Sequence, residues 1–247
     1  MTAEDIKLAV KRFETKQGYR PHGLKAALID MDGTLFDSMP WHARAWHRMV
    51  TELGIKADVN EFFNYEGMTG KATINLLFRR AFGRDATDEE VVELYGRKSK
   101  YFQENNNARV MPGARKMVKT LQSAGVTPVL VTGSGQATLL DRLNEEFDGA
   151  FPADKRITSH DVRVGKPSPE PYLRGLEKAG CSASEAIVVE NAPLGVESGV
   201  AAGVFTVAVR TGPVDVDRLV GAGADLVFNS MEQFAETLPK LLFIINE

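Results

Sequence analysis

The sequence predicts an α/β protein: a doubly wound parallel sheet with an all-helical segment inserted after its first strand. Three observations predict it. From residue 113 onward, short apolar runs alternate with helix-patterned stretches, the signature of parallel βα units. The first apolar run, Ala26 to Ile29 in LKAALIDMDGTLFD, lacks polar positions, as a strand covered on both faces must. Between residues 41 and 105 the periodicity is helical and no strand is predicted.

Residues 2–17 read as a helix, opened by a Thr2 and Asp5 capping box, with Ile6, Val10 and Phe13 on one face. Gly18 and Pro21 end it. This extension (1–21) is expected to pack outside the core or on a partner subunit. The core is expected over 22–39 plus 108–247, and a helical cap over 40–107. The cap's helices are expected at 41–53, 59–64, 70–82 and 88–104, with breaks at Gly54, Gly67, Gly83 and Asp85. Asn105-Asn106-Asn107 and Met111-Pro112-Gly113 then punctuate the chain, so two neighbouring linkers join insert to core, the layout of a hinged lid.

Helices are predicted next at 113–124, 136–146, 170–179, 194–202, 215–221 and 231–244. Strands are predicted at 127–131, 155–158, 186–189, 204–209 and 226–228. In sheets of this kind ligands bind beyond the carboxyl ends of the strands. Three of the strands run into polar residues there: Ile29 into Asp30, Val131 into Thr132-Gly133-Ser134, and Val189 into Glu190-Asn191. A loop between them carries Lys166. One polar strand end is unremarkable, but three and a lysine indicate one site.

Composition bounds the chemistry. The 247 residues carry a formal net charge of -3 and a pI of about 5.9, so no overall basic field invites nucleic acid. Cys181 is the one cysteine and the four histidines show no zinc spacing, which excludes a disulfide framework and fits a reducing compartment. The amino terminus starts acidic without an apolar core, and no run is long enough to span a bilayer. A cytoplasmic protein, monomeric or weakly dimeric, with no membrane partner, is expected.

Asp30 and Asp32, two positions apart on extended chain, point the same way about 6.6 Å apart. Carboxylates so close repel, and a cation relieves the repulsion. Oxygen donors suit Mg²⁺, which commonly arrives with a phosphorylated substrate. Asp30 can attack phosphorus and form an aspartyl phosphate, and Asp32 can move the proton. Thr132 and the Gly133 N–H can hold the phosphoryl oxygens, Lys166 adds a positive charge, and Asn191 offers an amide oxygen to the metal with Glu190 beside it. Each alone has a plainer reading. Asp-Gly turns, a Thr132 or Ser134 helix cap and a solvated loop lysine are all common.

The ordered set DMDGTLFD (30–37), VTGS (131–134), GKPSPEPY (165–172) and ENAPLGVESG (190–199) resembles the haloacid dehalogenase superfamily, in particular its β-phosphoglucomutase-like phosphatases. The resemblance runs over residues 24–230 and implies a Rossmann-like core with a helical cap. It implies Asp30 as nucleophile, Asp32 as acid/base, Thr132 and Lys166 as phosphate clamp, and Mg²⁺ on Asp30, the Asp32 carbonyl and the fourth motif. Asn191 stands where that motif usually has aspartate, which removes one negative charge, and Glu66 in YEGMTG is the candidate to restore it. The mutases carry a lysine at the Glu66 position and a phosphate-binding arginine at Gly70, both absent here. His42 matches the mutases' histidine, while Gln136 replaces their phosphate-contacting asparagine. SMPWH, EGMTG, VTGSGQ and ENAPLG are similar to inorganic pyrophosphatases of the same subgroup. Pyrophosphate hydrolysis is therefore the expectation, with β-phosphoglucomutase or a small sugar-phosphate phosphatase as runner-up and a non-catalytic binding protein as the alternative of another class.

Overall fold

Six parallel strands in the order β3-β2-β1-β4-β5-β6 form the centre of the protein, seen in a computed structural model that describes residues 1–105, 107–135 and 137–247. The strands are β1 (Ala26–Ile29), β2 (Thr127–Val131), β3 (Arg156–Ile157), β4 (Ala186–Glu190), β5 (Phe205–Val209) and β6 (Leu226–Phe228). The doubly wound sheet expected from the alternation is what forms. Its order reverses between β1 and β4, which leaves a crevice at their carboxyl ends. Asp30 and Asn191 follow those two strands directly.

Both sheet faces are buried, which is why the strands read as unbroken apolar runs. Ala27 and Ile29 face a layer built from α1 (Ala3–Gln17), α5 (Ala114–Ser123), α6 (Ala137–Glu146) and α10 (Met231–Asn246). Ala26 and Leu28 face the opposite layer, where α7 (Glu170–Ala179) packs through Tyr172 and Leu176. Helices α8 (Pro193–Ala201) and α9 (Val216–Gly221) complete the winding.

The capping box at Thr2 and Asp5 forms, and of the two surfaces expected for the amino-terminal helix it is this chain's own core that the helix covers. Ile6, Ala9, Val10 and Phe13 are buried in the main core, with Phe13 edge-on to Phe205 at 5.4 Å between ring centroids. The Arg20 guanidinium donates to the Ile244 carbonyl at 2.8 Å and locks the helix onto α10. An apolar stripe at helical spacing cannot say whether its partner is the same chain or another. Phe13→Ala should accordingly cost about 3–5 kcal/mol of stability, read by denaturant unfolding.

Residues 39–105 hold α2 (Met39–Glu52), α3 (Gly70–Phe82), α4 (Asp88–Asn105) and a 3₁₀ turn at Val59–Tyr65 where an α-helix was expected. Trp46, Phe62, Ile74, Leu77 and Leu94 give this segment an apolar cluster of its own. Its two connections run side by side: Asp37 N–H donates to the Arg109 carbonyl and Met111 N–H to the Leu35 carbonyl, both at 2.9 Å. Asn106, in the punctuation between them, lies outside the described residues. Among the described residues no helix is long and apolar enough to cross a membrane.

Candidate active site

The sheet brings the separate motifs together at one end. Asp30 continues β1 by donating its N–H to Val189 O, and its carboxylate accepts from Lys166 Nζ at 2.5 Å. That ammonium also donates to Glu190 Oε1 at 2.6 Å and to Val131 O at 3.0 Å, so its three protons are all used. Burial pushes the Asp30 carboxyl upward; the Lys166 charge opposes this, and Glu190 and Asp32 reinforce it. Lys166 itself is held charged by Asp30 and Glu190 against the pull of burial. Lys166 therefore sits against the Asp30 carboxylate with all three of its protons engaged within the protein, where the resemblance implied a phosphate clamp.

Glu190, beside Asn191, is engaged through both of its oxygens. Its Oε1 accepts from Lys166 and from the Tyr172 hydroxyl at 2.8 Å, and its Oε2 from the N–H groups of Asn191 and Ala192 at 2.9 and 3.2 Å. A carboxylate with four donors is fully engaged, and it serves as the counter-ion of Lys166. Gly195 permits the arrangement, since a Cβ there would fall 1.8 Å from Glu190 Oε1.

Asp32 faces the insert. One of its oxygens, Oδ1, accepts from Ser38 Oγ at 2.5 Å and meets His42 Nε2 at 2.9 Å. Burial alone would raise its carboxyl; His42, the Ser38 hydroxyl and the charge of Lys98 bring it below the usual carboxylate range. His42 Nδ1 lies 2.6 Å from Lys98 Nζ, and its ring stacks on Phe102 at 4.0 Å. Burial, followed by the Lys98 charge, pushes His42 down, and the Asp32 carboxylate works against both.

Lys98 is 2% exposed, and burial drops its ammonium to about 7. Below that pH the folded chain carries a poorly solvated charge. As pH rises from 7 toward 10.5, the fold has released the proton while the unfolded chain still holds it, so this group's cost fades with rising pH. Lys98→Met should raise stability by about 2–5 kcal/mol at pH 6 and by less at pH 9, with a loss of turnover. Melting curves at the two pH values check the sign.

Thr132, Gly133 and Ser134 line a small cavity of about 60 Å³ with Asp30, Asp32, His42 and Lys98. The Thr132 hydroxyl accepts from Ser134 N–H at 3.0 Å, a turn that aims the loop's backbone inward. Gly133 is required by proximity: a Cβ there would stand 2.6 Å from the Gly67 carbonyl of the insert. Gln136 lies outside the described residues.

Glu66 is brought into the same cluster. It is buried, and its Oε1 accepts from Asn191 Nδ2 at 2.8 Å, while Asn191 Oδ1 accepts from Thr34 Oγ1 at 3.1 Å. Gly33, at φ 78°, leaves the space both occupy, since a Cβ would fall 2.0 Å from Asn191 Nδ2 and 2.7 Å from Glu66 Oε1. Burial drives the Glu66 carboxyl well above the ordinary range; the Asn191 amide works against this, and Asp30, Glu190 and Asp32 add to it.

Among the described residues no group of three or more His, Cys, Asp or Glu side chains forms a metal-holding cluster. The donors still fit a hard divalent ion once carbonyl and amide oxygens are included. Four carboxylates, Asp30, Asp32, Glu66 and Glu190, are buried here against two ammonium groups, Lys98 and Lys166. Burial and mutual repulsion raise the Asp30 and Glu66 carboxyls, a crowding that Mg²⁺ would relieve if held by Asp30, the Asp32 carbonyl, Asn191 and Glu66.

Ser38, Lys98, Tyr172, Thr34 and Tyr95 were not singled out from the sequence. Lys98 left a signal: it sits on the buried stripe Leu94-Lys98-Phe102 of α4, where a lysine is out of place. Tyr172 lies inside the quoted lysine motif.

The comparisons with known proteins agree with the geometry. A family model described as haloacid dehalogenase-like hydrolase matches residues 24–203. Hexitol phosphatase A of Escherichia coli (strain K12) is 32% identical over 214 residues, covering 86% of this chain and 94% of that protein. Glycerol-1-phosphate phosphohydrolase 1 of Saccharomyces cerevisiae is 30% identical over 227 residues, covering 86% of each. The solved structure of a putative β-phosphoglucomutase from Bacteroides vulgatus is 45% identical, covers 100% of both chains and superposes with a TM-score of 0.95. These names are those of polyol-phosphate hydrolases and a sugar-phosphate mutase, and they lend no support to pyrophosphate. With the doubly wound sheet, the motif order and this breadth of match, the chain belongs to the haloacid dehalogenase-like hydrolases, within their β-phosphoglucomutase-like subgroup.

Proposed function

We propose that the protein is a Mg²⁺-dependent phosphohydrolase that turns over through an aspartyl phosphate on Asp30, with inorganic pyrophosphate as substrate. The observation that carries the choice of substrate is Glu66: an acid of the insert, buried against Asn191 in the small cavity's charged floor. An extra acid suits a compact substrate that arrives with its metal and repels one that presents a second phosphate without a cation. The cavity has room on the order of five water-sized groups, enough for a phosphoryl group and a small leaving group.

In the first step an Asp30 oxygen attacks phosphorus, the bond to the leaving oxygen breaks, and its electron pair departs with the leaving group. Thr132 and the Gly133 N–H hold the phosphoryl oxygens during attack. In the second step water attacks the acyl phosphate, Asp32 accepts its proton, and Asp30 is regenerated. Bound Mg²⁺ supplies charge neutralisation for the crowded oxygens. The lowered proton affinity of Asp32 bears on the leaving group. An ionised Asp32 suits the water step at once, and a departing phosphate, a far weaker base than an alkoxide, needs little protonation in the first. The insert, residues 40–107, acts as the cap that opens for substrate.

A second reading, hydrolysis or isomerisation of a small sugar or polyol phosphate, is favoured by the relatives' activities and by His42 on Asp32. Phosphate release from pyrophosphate, hexitol phosphate and β-glucose 1-phosphate with Mg²⁺ separates the readings. Pyrophosphate should give the highest kcat/KM. Glu66→Gln should lower it by roughly 10²-fold and more than it lowers monoester hydrolysis. Equal losses on both substrates contradict a metal role for Glu66.

A further inference from the structure

The catalytic cavity is not the largest space between insert and core. On the other side of α4's first turns lies a cleft of about 940 Å³, bounded by α3, α4 and the loop that carries His160 to Gly165. Met68, Gly70 and Tyr95 line both spaces and so form the partition between them.

Tyr95 is the bulk of that wall. Its ring lies flat against the Gly70 backbone: a Cβ at residue 70 would stand 2.2 Å from Tyr95 Cδ2 and 2.3 Å from Cε2. Its hydroxyl accepts from Gly135 N–H at 3.3 Å, which ties the wall to the loop that follows β2. On the inner side the ring stands 6.2 Å from Trp46 and 5.8 Å from the Lys98 ammonium, so one residue borders the proton-handling groups and the exit.

The two spaces differ in kind. The inner one offers carboxylates, backbone N–H groups and a buried amine. The outer one offers apolar side chains, among them the exposed Val92 and Val164, under a polar rim of Arg163 and of Lys71 and Arg79, which are paired with Asp88 and Asp85. An outer cleft of that size matches the volume of sites for whole organic ligands, and the inner cavity does not.

We propose that Tyr95 is the size-determining residue of this site: its ring, seated on Gly70, closes the catalytic cavity to leaving groups longer than a phosphate or a short alkyl chain. The outer cleft is the space that a longer polyol or sugar leaving group would occupy once the ring is removed. The inference rests on the compact-substrate reading above. The hydroxyl is not what discriminates; the ring's volume is.

The test uses phosphate monoesters of increasing leaving-group length, methyl, glyceryl and hexityl, with pyrophosphate as a separate arm. Tyr95→Ala and Tyr95→Leu shorten the wall, the second keeping an apolar filler on the helix, and Tyr95→Phe keeps the ring without its hydroxyl. In wild type and Tyr95→Phe, kcat/KM should fall along the monoester series. In Tyr95→Leu and Tyr95→Ala the hexityl-to-methyl ratio should rise at least tenfold. A ratio unchanged in Tyr95→Leu overturns the proposal, as does a ratio that rises as much in Tyr95→Phe. A wild-type preference for any monoester over pyrophosphate overturns the compact-substrate reading instead, and the monoester slope still reports on Tyr95.

Discussion

Replacing Asp30 by asparagine is expected to lower turnover by roughly 10⁴-fold or more while the chain still folds. The amide is nearly isosteric with the carboxylate but cannot form the acyl phosphate. Lys166 keeps two acceptors, Glu190 Oε1 and Val131 O, so the buried ammonium is not orphaned. The exchange also removes a carboxylate that burial disfavours, and the melting temperature should not fall. A folded, inactive variant is the expected result, and steady-state phosphate release together with a melting curve checks it.

Lys166→Met is expected to lower stability and turnover together. It leaves Asp30 and Glu190 buried without their shared cation, a loss of about 3–5 kcal/mol, and a protonated Asp30 is no nucleophile. Adding Glu190→Gln removes one of the two stranded charges, so the double variant should regain part of the stability. It should regain none of the activity, because the charge that favours the ionised form of Asp30 against burial is still missing. Denaturant midpoints and kcat for the single and double variants separate the two roles of the lysine, and recovery of activity in the double variant contradicts the assigned role.

The architecture was readable because β1, β4 and β5 are buried at every position and β2 at all but its first, so that their apolar runs stand out in the sequence. Where tertiary context decided, reading failed. Val59–Tyr65 winds as a 3₁₀ turn despite its helical pattern. The amino-terminal stripe predicted a buried face but not which surface would bury it.

The site divides the same way. Asp30, Asp32, Thr132 and Glu190-Asn191 announced themselves because strand ends in this topology converge. The roles of Lys166 and Glu190 did not, since hydrogen-bond saturation is a property of the folded neighbourhood and not of a motif. Ser38, Lys98 and Tyr95 come from the insert or its hinge, where helical spacing gives a face but no address. Glu66 was singled out only because Asn191 removed a charge, and the structure sets the two side chains in contact.

The central claim is that phosphorus is bonded to Asp30 between two displacements. The stereochemical course at phosphorus, followed with a monoester made chiral by oxygen isotopes, tests it most directly. Two in-line displacements restore the original configuration, so net retention is predicted; net inversion would show that water attacks the substrate directly and that Asp30 never carries the phosphoryl group.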